Sequence, residues 1–423
     1  MISHNACDIS SARSLFFFSQ GGDFLEKHWN WMGEGFKFIR VLRLFSHGRT
    51  NPNPKEIGKS IFLRHLSITS YGVGNICTPG DRVQEPTCGP DTDSIFPSGE
   101  VPDYICGLPY LETFELQVGG YLSFSQKSLS KMKKLRYLDV GAFRILADDD
   151  DDRHKRGRNS VDMDILPSLQ SVHSMVVYDR HTTSFLSKFP NLTELTLLDI
   201  GVSAKSDVEQ ALASLEKNLQ HLQSLYLYHF RDCNMRVVLP SSLTKVTLNR
   251  LAGQKRMETL KKLPNLLQLQ IKYMEMVKSV DLSVGAGEFS KLLVLELIEN
   301  RIDSWEMMSG GMRSLWHLII IMNIFNGNIQ VPNPLWLLGD LEFGKMEMDT
   351  NVLANSIRNK LRELNYVKEE IIHQFESKWE LTLKNGCKVY LSLSRKSMIN
   401  FATKSSGEIL STYTGKLGIE LSW

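Results

Sequence analysis

Phe289-Ser290-Lys291-Leu292-Leu293-Val294-Leu295-Glu296-Leu297-Ile298-Glu299-Asn300 decides how the chain folds. Leu295 and Leu297 are two apart, so a short strand points both to one side. Phe289 and Leu292 lie on the approach to that strand and fill the same core. Asn300 follows where the chain turns away, with a side chain able to hydrogen-bond the exposed backbone there. A unit this small cannot bury its own leucines, so copies of it must stack.

Copies run through most of the chain. The slot of Leu292 is filled by Ala12, Ile39, Leu63, Leu111, Leu135, Leu169, Leu192, Leu222, Leu243, Leu266, Leu292, Leu315 and Phe343. The steps between them are 27, 24, 48, 24, 34, 23, 30, 21, 23, 26, 23 and 28 residues. Leucine-rich repeats recur at roughly 20–29 residues with this apolar-x-x-Leu-x-x-Leu-x-Leu-x-x-Asn pattern. The 48-residue step is read as two units of 24 with a degenerate one between, and the 34-residue step as one unit with an insertion. A generic leucine-rich α/β protein would not keep phase over a dozen units. The fold class is therefore α/β: a leucine-rich-repeat solenoid with a curved parallel sheet and an irregular or helical convex side, plus a C-terminal helix and β-hairpin.

Working outward, residues 8–19 form the first unit, with Leu15 and Phe17 in its strand. Solenoids need a polar terminal cap. None is visible before this unit, so its edge is either exposed or met by a further domain. Gly72, Gly74, Pro79, Gly80, Pro86, Gly89, Pro90, Pro97 and Gly99 mark 72–99 as a loop insertion. Order resumes with a short helical connector from Pro102 to Leu108 that feeds the next strand. A second insertion, 148–160, holds Asp148 to Asp152 and then Arg153-His154-Lys155-Arg156-Gly157-Arg158. This reads as a solvated loop whose halves neutralise each other, since calcium would need spaced ligands and a glycine turn.

Residues 1–350 form the solenoid on this reading. Beyond them, Val352, Ile357, Leu361, Leu364, Ile371 and Phe375 recur at roughly helical spacing and predict a capping helix over 351–378. Residues 379–423 read as a short β-hairpin tail, because Leu381/Leu383 and Val389/Leu391 alternate around Asn385-Gly386.

Composition narrows the function classes. A formal charge of +2 over 423 residues gives no global argument for nucleic acid. The six cysteines form no CxxC pair and read as free thiols of a reducing compartment, with no zinc site. The longest apolar run, Leu318 to Met322, falls far short of a roughly 20-residue membrane span. Leu15 to Phe18 is too short for a secretory signal, so the sequon Asn191-Leu192-Thr193 is expected to be unused and the chain cytoplasmic. Gly339-Asp340-Leu341-Glu342-Phe343-Gly344-Lys345-Met346 has the spacing of a P-loop, but Met346 stands where a magnesium-binding hydroxyl is needed. No GxSxG elbow, HExxH or strand-linked GxGxxG occurs, so we expect no catalytic set, cofactor or metal.

Several segments carry a family likeness: Ser11-Ala12-Arg13-Ser14-Leu15, Phe38-Ile39-Arg40-Val41-Leu42-Arg43-Leu44, Val101-Pro102-Asp103-Tyr104-Ile105 into Leu108-Pro109-Tyr110-Leu111-Glu112-Thr113, Lys134-Leu135-Arg136-Tyr137-Leu138, and Ala354-Asn355-Ser356-Ile357. They resemble the repeat region of plant coiled-coil nucleotide-binding leucine-rich-repeat resistance proteins, in particular the late blight resistance proteins, over about residues 8–360. The resemblance implies the recognition part of an innate-immune receptor without its nucleotide switch, whether as a truncated paralogue or a fragment. Its implied partners are proteins: a pathogen effector, a guarded host protein, or a receptor's nucleotide-binding domain. Alternatives are the substrate-recognition adaptor of a ubiquitin ligase, which would need an F-box bundle before the repeats, or a non-functional receptor fragment. An extracellular receptor ectodomain would carry a signal peptide and paired cysteine caps.

Strand residues that alternate with the core leucines face outward on the concave side. The candidate partner-binding residues there are His65, Glu115, Tyr137, Asp139, Glu194, Tyr226, Tyr228, Lys245, Gln268, Gln270, Lys272, Glu296 and His317. Tyrosine, histidine and charged groups on a rigid sheet suit protein recognition.

Overall fold

The computed structural model describes residues 11–19, 26–46, 55–70, 99–117, 121–146, 164–178, 181–201, 204–230, 238–250, 255–273, 280–298, 300–304, 308, 310–315, 317–321, 324–325, 340–344, 367–375, 378–383, 388–392 and 416–417. Two units divide the chain at Leu222/Gln223. Both are built as an α/β leucine-rich-repeat solenoid.

In the first unit, seven strands pair in parallel and in chain order: β1 (Ser14–Ser19), β2 (Val41–Ser46), β3 (His65–Ser70), β4 (Thr113–Gln117), β6 (Tyr137–Leu146), β7 (Ser171–Val176) and β8 (Glu194–Leu198). β5 (Leu122–Ser125) pairs with the second half of β6, past Gly141, whose φ of 68° turns that strand away. Helices α1 (Glu26–Gly35), α2 (Asp103–Cys106), α3 (Gln126–Ser130), α4 (His181–Leu186) and α5 (Lys205–Asn218) lie between strands. The helical connector expected from Pro102 is α2, with Pro102 at its N-cap.

In the second unit, β9 (Ser224–Tyr228), β10 (Lys245–Asn249), β11 (Gln268–Lys272), β13 (Val294–Ile298), β15 (His317–Ile321) and β17 (Asp340–Gly344) pair the same way, and α6 (Lys255–Leu260) connects β10 to β11. A smaller parallel sheet is formed by β12 (Val280–Asp281), β14 (Arg301–Ser304) and β16 (Ile324–Phe325). β17 also pairs antiparallel with β21 (Lys416–Leu417).

The periodic leucines make the core in each unit. Ile39, Leu63, Leu135, Leu169, Leu192, Leu222, Leu243 and Leu292 are wholly buried. Ahead of most strands one tight turn closes, as where Leu111 N–H donates to Leu108 O and Leu292 N–H to Phe289 O. A three-residue turn eclipses its ends, so both apolar residues of the pair face inward. The strand then starts with a repeated bond pattern. Arg40 and Val41 N–H both donate to Arg13 O, Arg64 and His65 to Arg40 O, and Leu293 and Val294 to Leu267 O. One carbonyl with two lone pairs thus docks each coil on the last.

Outside the sheet, the position before each buried leucine forms a second ladder. In the first unit it is aromatic: Phe38 and Phe62 are 5.8 Å apart and Phe62 stacks on Tyr110 at 6.5 Å. Arg13 covers one end and Lys134 the other, at 5.1 and 4.2 Å from the ring centres. In the second unit it is polar: Asn265 donates to Ser241 O, Lys291 to Asn265 Oδ1 and Ser314 to Ser290 O.

Three expectations are corrected. The 48-residue step is not two stacked units, because β3 pairs directly with β4 and no third strand intervenes. Hydrogen-bond matching across adjacent strands overrides the arithmetic of the period. Phe343 does not occupy the Leu292 slot: it pairs with Ile320, so that slot falls five residues earlier, outside the described residues. The P-loop look-alike thereby runs through strand β17 instead of a phosphate-binding loop. Finally, the part of 351–378 that is described is not helical. Val367–Phe375 is strand β18, antiparallel to β19 (Lys378–Leu383), which pairs antiparallel with β20 (Lys388–Ser392). β-Branched Val367, Ile371 and Ile372 favour an extended backbone. The expected insertions 72–99, apart from Gly99, and 148–160, and residues 351–366 and 376–377 of the expected cap, lie outside the described residues.

Candidate functional site

Alternation along each strand sends every second side chain to the open face of its sheet. In the first unit this face carries a charged row across β2, β3 and β4. Arg43 Nε donates to His65 Nε2 at 3.3 Å, and its Nη2 approaches Glu115 Oε2 at 3.6 Å. Burial lowers the His65 pKa, opposed by Glu115 and assisted by Arg43.

Across β6, β7 and β8 the centre is His173. Its ring lies 5.2 Å from that of Tyr137. Ser171 Oγ lies 2.8 Å from His173 Nε2 and donates to Glu194 Oε2 at 2.9 Å. The single hydroxyl proton goes to Glu194, so Nε2–H donates to Oγ, and Nδ1 lies 3.4 Å from Thr196 Oγ1. That direction is the reverse of what a general base activating a serine requires. Burial raises the Asp139 pKa against the pull of His173, and burial pushes the Tyr137 hydroxyl up to about 12, aided by Asp139.

The second unit's open face is an amide and hydroxyl lattice. Asn249 Nδ2 donates to Tyr226 Oη at 2.6 Å, and the rings of Tyr226 and Tyr228 meet edge to face at 6.5 Å. Burial raises the Tyr226 pKa, offset by the Asn249 bond. Thr247 Oγ1 donates to Gln270 Oε1 at 2.9 Å. Gln268 Nε2 donates to Glu296 Oε1 at 2.9 Å. Lys245 and Lys272 are half-buried strand residues of β10 and β11, and His317 opens β15 in register with Val294.

The sequence-predicted residues therefore form two groups, one per unit. His65, Glu115, Tyr137, Asp139 and Glu194 lie on the first unit's face; Tyr226, Tyr228, Lys245, Gln268, Gln270, Lys272, Glu296 and His317 lie on strands of the second. Missed were Arg43, Ser171, His173 and Asn249. A left-handed Ser174 at φ 63° shifts the β7 register, so Val172 and Met175 take the core slots and the two-residue alternation fails there. Counting two and four residues past Leu169 would still have found Ser171 and His173.

Among the described residues no group of three or more His, Cys, Asp or Glu is placed to hold a metal ion, and no helix is long and apolar enough to cross a membrane. Cys106 is a buried free thiol that burial pushes up to about 12, beyond ready ionisation.

No family model and no curated protein matches the chain. Among solved structures it is similar to an internalin from Listeria monocytogenes, at 14% identity and TM-score 0.38 over 76% of this chain and 79% of that one. It is also similar to a TDR receptor, at 15% identity and TM-score 0.35 over 79% of this chain and 59% of that one. A third likeness, to the PEPR1–AtPEP1 structure, has 17% identity and TM-score 0.34 over 79% of this chain and 48% of that one.

Proposed function

We propose that the chain is a non-catalytic protein-recognition module of the plant innate-immune receptor type, working in the cytoplasm. It binds a pathogen effector, a guarded host protein or a receptor's nucleotide-binding domain through the open faces of its sheets. The observation that carries this reading is the composition of those faces. They hold tyrosines, paired charges and oriented amides fixed in register on strands whose opposite sides are buried and apolar. Rigid amphipathic and charged side chains of this kind supply protein–protein contacts at small entropic cost. The likeness of the repeats to resistance-protein repeats supports the immune assignment.

The test is co-purification of the full chain with the nucleotide-binding domain of a plant resistance receptor and with plant extract. A stable complex that is lost on Glu115→Lys or Tyr226→Ala supports the reading. Enrichment of ubiquitin-ligase scaffold subunits would replace it with the adaptor reading.

A further inference from the structure

We propose that β1, the edge strand of the first unit, pairs antiparallel with β1 of a second copy of this chain, about a two-fold axis through Phe16. This goes beyond the recognition role above and does not rest on it.

In the second unit the last parallel strand, β17, is covered by the antiparallel β21. In the first unit β1 has β2 as its one sheet neighbour among the described residues. Arg40 and Val41 N–H donate to Arg13 O, so the main-chain groups of Arg13 face β2. Alternation along the strand aims those of Leu15 and Phe17 the same way, and those of Ser14, Phe16 and Phe18 at the other edge.

The side chains beside that edge are uncovered as well. Phe16 and Phe18 are 53% and 70% exposed. Leu15 and Phe17 fill core slots yet are only half-buried, whereas Leu42 and Leu44, opposite them on β2, are 0% and 3% exposed. β1 holds no charge, no proline and no bulge, the devices that keep sheet edges apart.

The strand's own symmetry says what fits. Side chains directly opposite each other in an antiparallel pair share one face of the sheet. Setting Phe16 opposite Phe16 of the second copy meets that rule along the whole strand. Ser14 then lies opposite Phe18, Phe16 opposite itself and Phe18 opposite Ser14, each as a pair that exchanges two main-chain bonds. All the edge-facing N–H and C=O groups of Ser14, Phe16 and Phe18 are satisfied. On the inner side Leu15 meets Phe17 twice, which closes the half-open core of both copies. On the open face Phe18 already lies 6.1 Å from Phe45, and the two Phe16 rings carry that aromatic row across the axis. No like charges meet, and a strand rich in acids or bases would find nothing on β1 to pair with. So short a ladder makes a small interface, and the dimer exchanges with monomer at concentrations on the order of micromolar.

Sedimentation velocity of the full chain, from about 1 to 100 μM, should move from monomer to dimer. Phe16→Lys sets two ammonium groups opposite each other and removes the ring contact, so it should weaken the dimer about tenfold or more. Phe16→Glu should do the same. Dilute samples of both should melt as the parent does, since the side chain is exposed at the sheet edge. An equimolar mixture of the two variants should recover the dimer, because a two-fold through residue 16 places the ammonium against the carboxylate. A parent that stays monomeric throughout overturns the inference, and the edge then belongs to a different strand. A dimer that survives Phe16→Lys, or a mixture that fails to pair, overturns it as well.

Discussion

Asn300 Nδ2 donates to the main-chain carbonyl of Ile271 over 2.8 Å, so a buried amide in one coil satisfies the strand of an earlier one. Asn300→Ala removes that side-chain bond, which contributes about 0.5–1.5 kcal/mol. Urea titration followed by far-UV dichroism should show a lower midpoint. An unchanged midpoint would mean that the bond contributes nothing to the fold.

Leu295 is wholly buried and pairs in register with Leu269 and Leu318. Leu295→Ala should cost about 2–5 kcal/mol. Leu295→Asp should abolish soluble folding, since an unpaired carboxylate in that layer has no partner. A soluble, cooperatively melting Asp variant would refute the assigned register.

His229, Arg250 and Tyr273 follow three neighbouring strands with φ of 62°, 53° and 57°. The bend pays its way by aiming each N–H at the last strand carbonyl of the next coil: His229 at Asn249 O, Arg250 at Lys272 O and Tyr273 at Ile298 O. A non-glycine residue there is strained by roughly 1–2 kcal/mol. Arg250→Gly should therefore stabilise the fold by up to about 1 kcal/mol after glycine's extra unfolded-state entropy, and its melting temperature should rise. Lys245→Gly, in regular strand, should lower it.

Asp139 gives a pH signature. Its folded pKa lies above the unfolded value, because burial disfavours the anion. A raised carboxyl favours the folded state below the unfolded pKa, and that contribution is lost as pH rises through the folded pKa. Asp139→Asn should then gain stability over the parent at neutral pH and converge with it in acid. Melting curves from pH 3 to 8 check the sign.

Phe62 lies between Phe38, to which it is tilted, and Tyr110, on which it stacks, while remaining 39% exposed. Each aromatic pair contributes about 0.5–1.5 kcal/mol. Phe62→Ser should lose both pairs and lower the melting temperature, although the side chain lies at the surface. A Phe62→Ser, Tyr110→Ser double variant should lose less than the sum of the singles, since they share a contact.

How far the residues alone disclosed this molecule varies by position. Leu63, Leu135 and Leu292 could be placed in the core because one side chain per coil has nowhere else to go. Strand alternation likewise put Glu115, Tyr226 and Gln270 on the open face. It could not foresee that Thr247 fixes Gln270 or that His173 joins Ser171 to Thr196, since those bonds depend on cross-strand distances. Around Val367, Ile371, Ile372 and Phe375 the spacing suits a helix and an irregular strand equally. The register of β18 slips between Val367 and Ile372, which blurs the two-residue period that would have told them apart.

The direct pairing of β3 with β4 has a practical side. Forty-eight residues separate Leu63 from Leu111, yet the backbone ladder closes as it does where only 24 separate neighbours. Lengthening a tethered segment adds just about 0.6 kcal/mol of closure entropy per doubling. Foreign cargo such as an epitope tag or a reporter peptide, inserted between Ser70 and Gly99, should therefore still allow β3 to close on β4, which a thermal melt of the insertion variant checks.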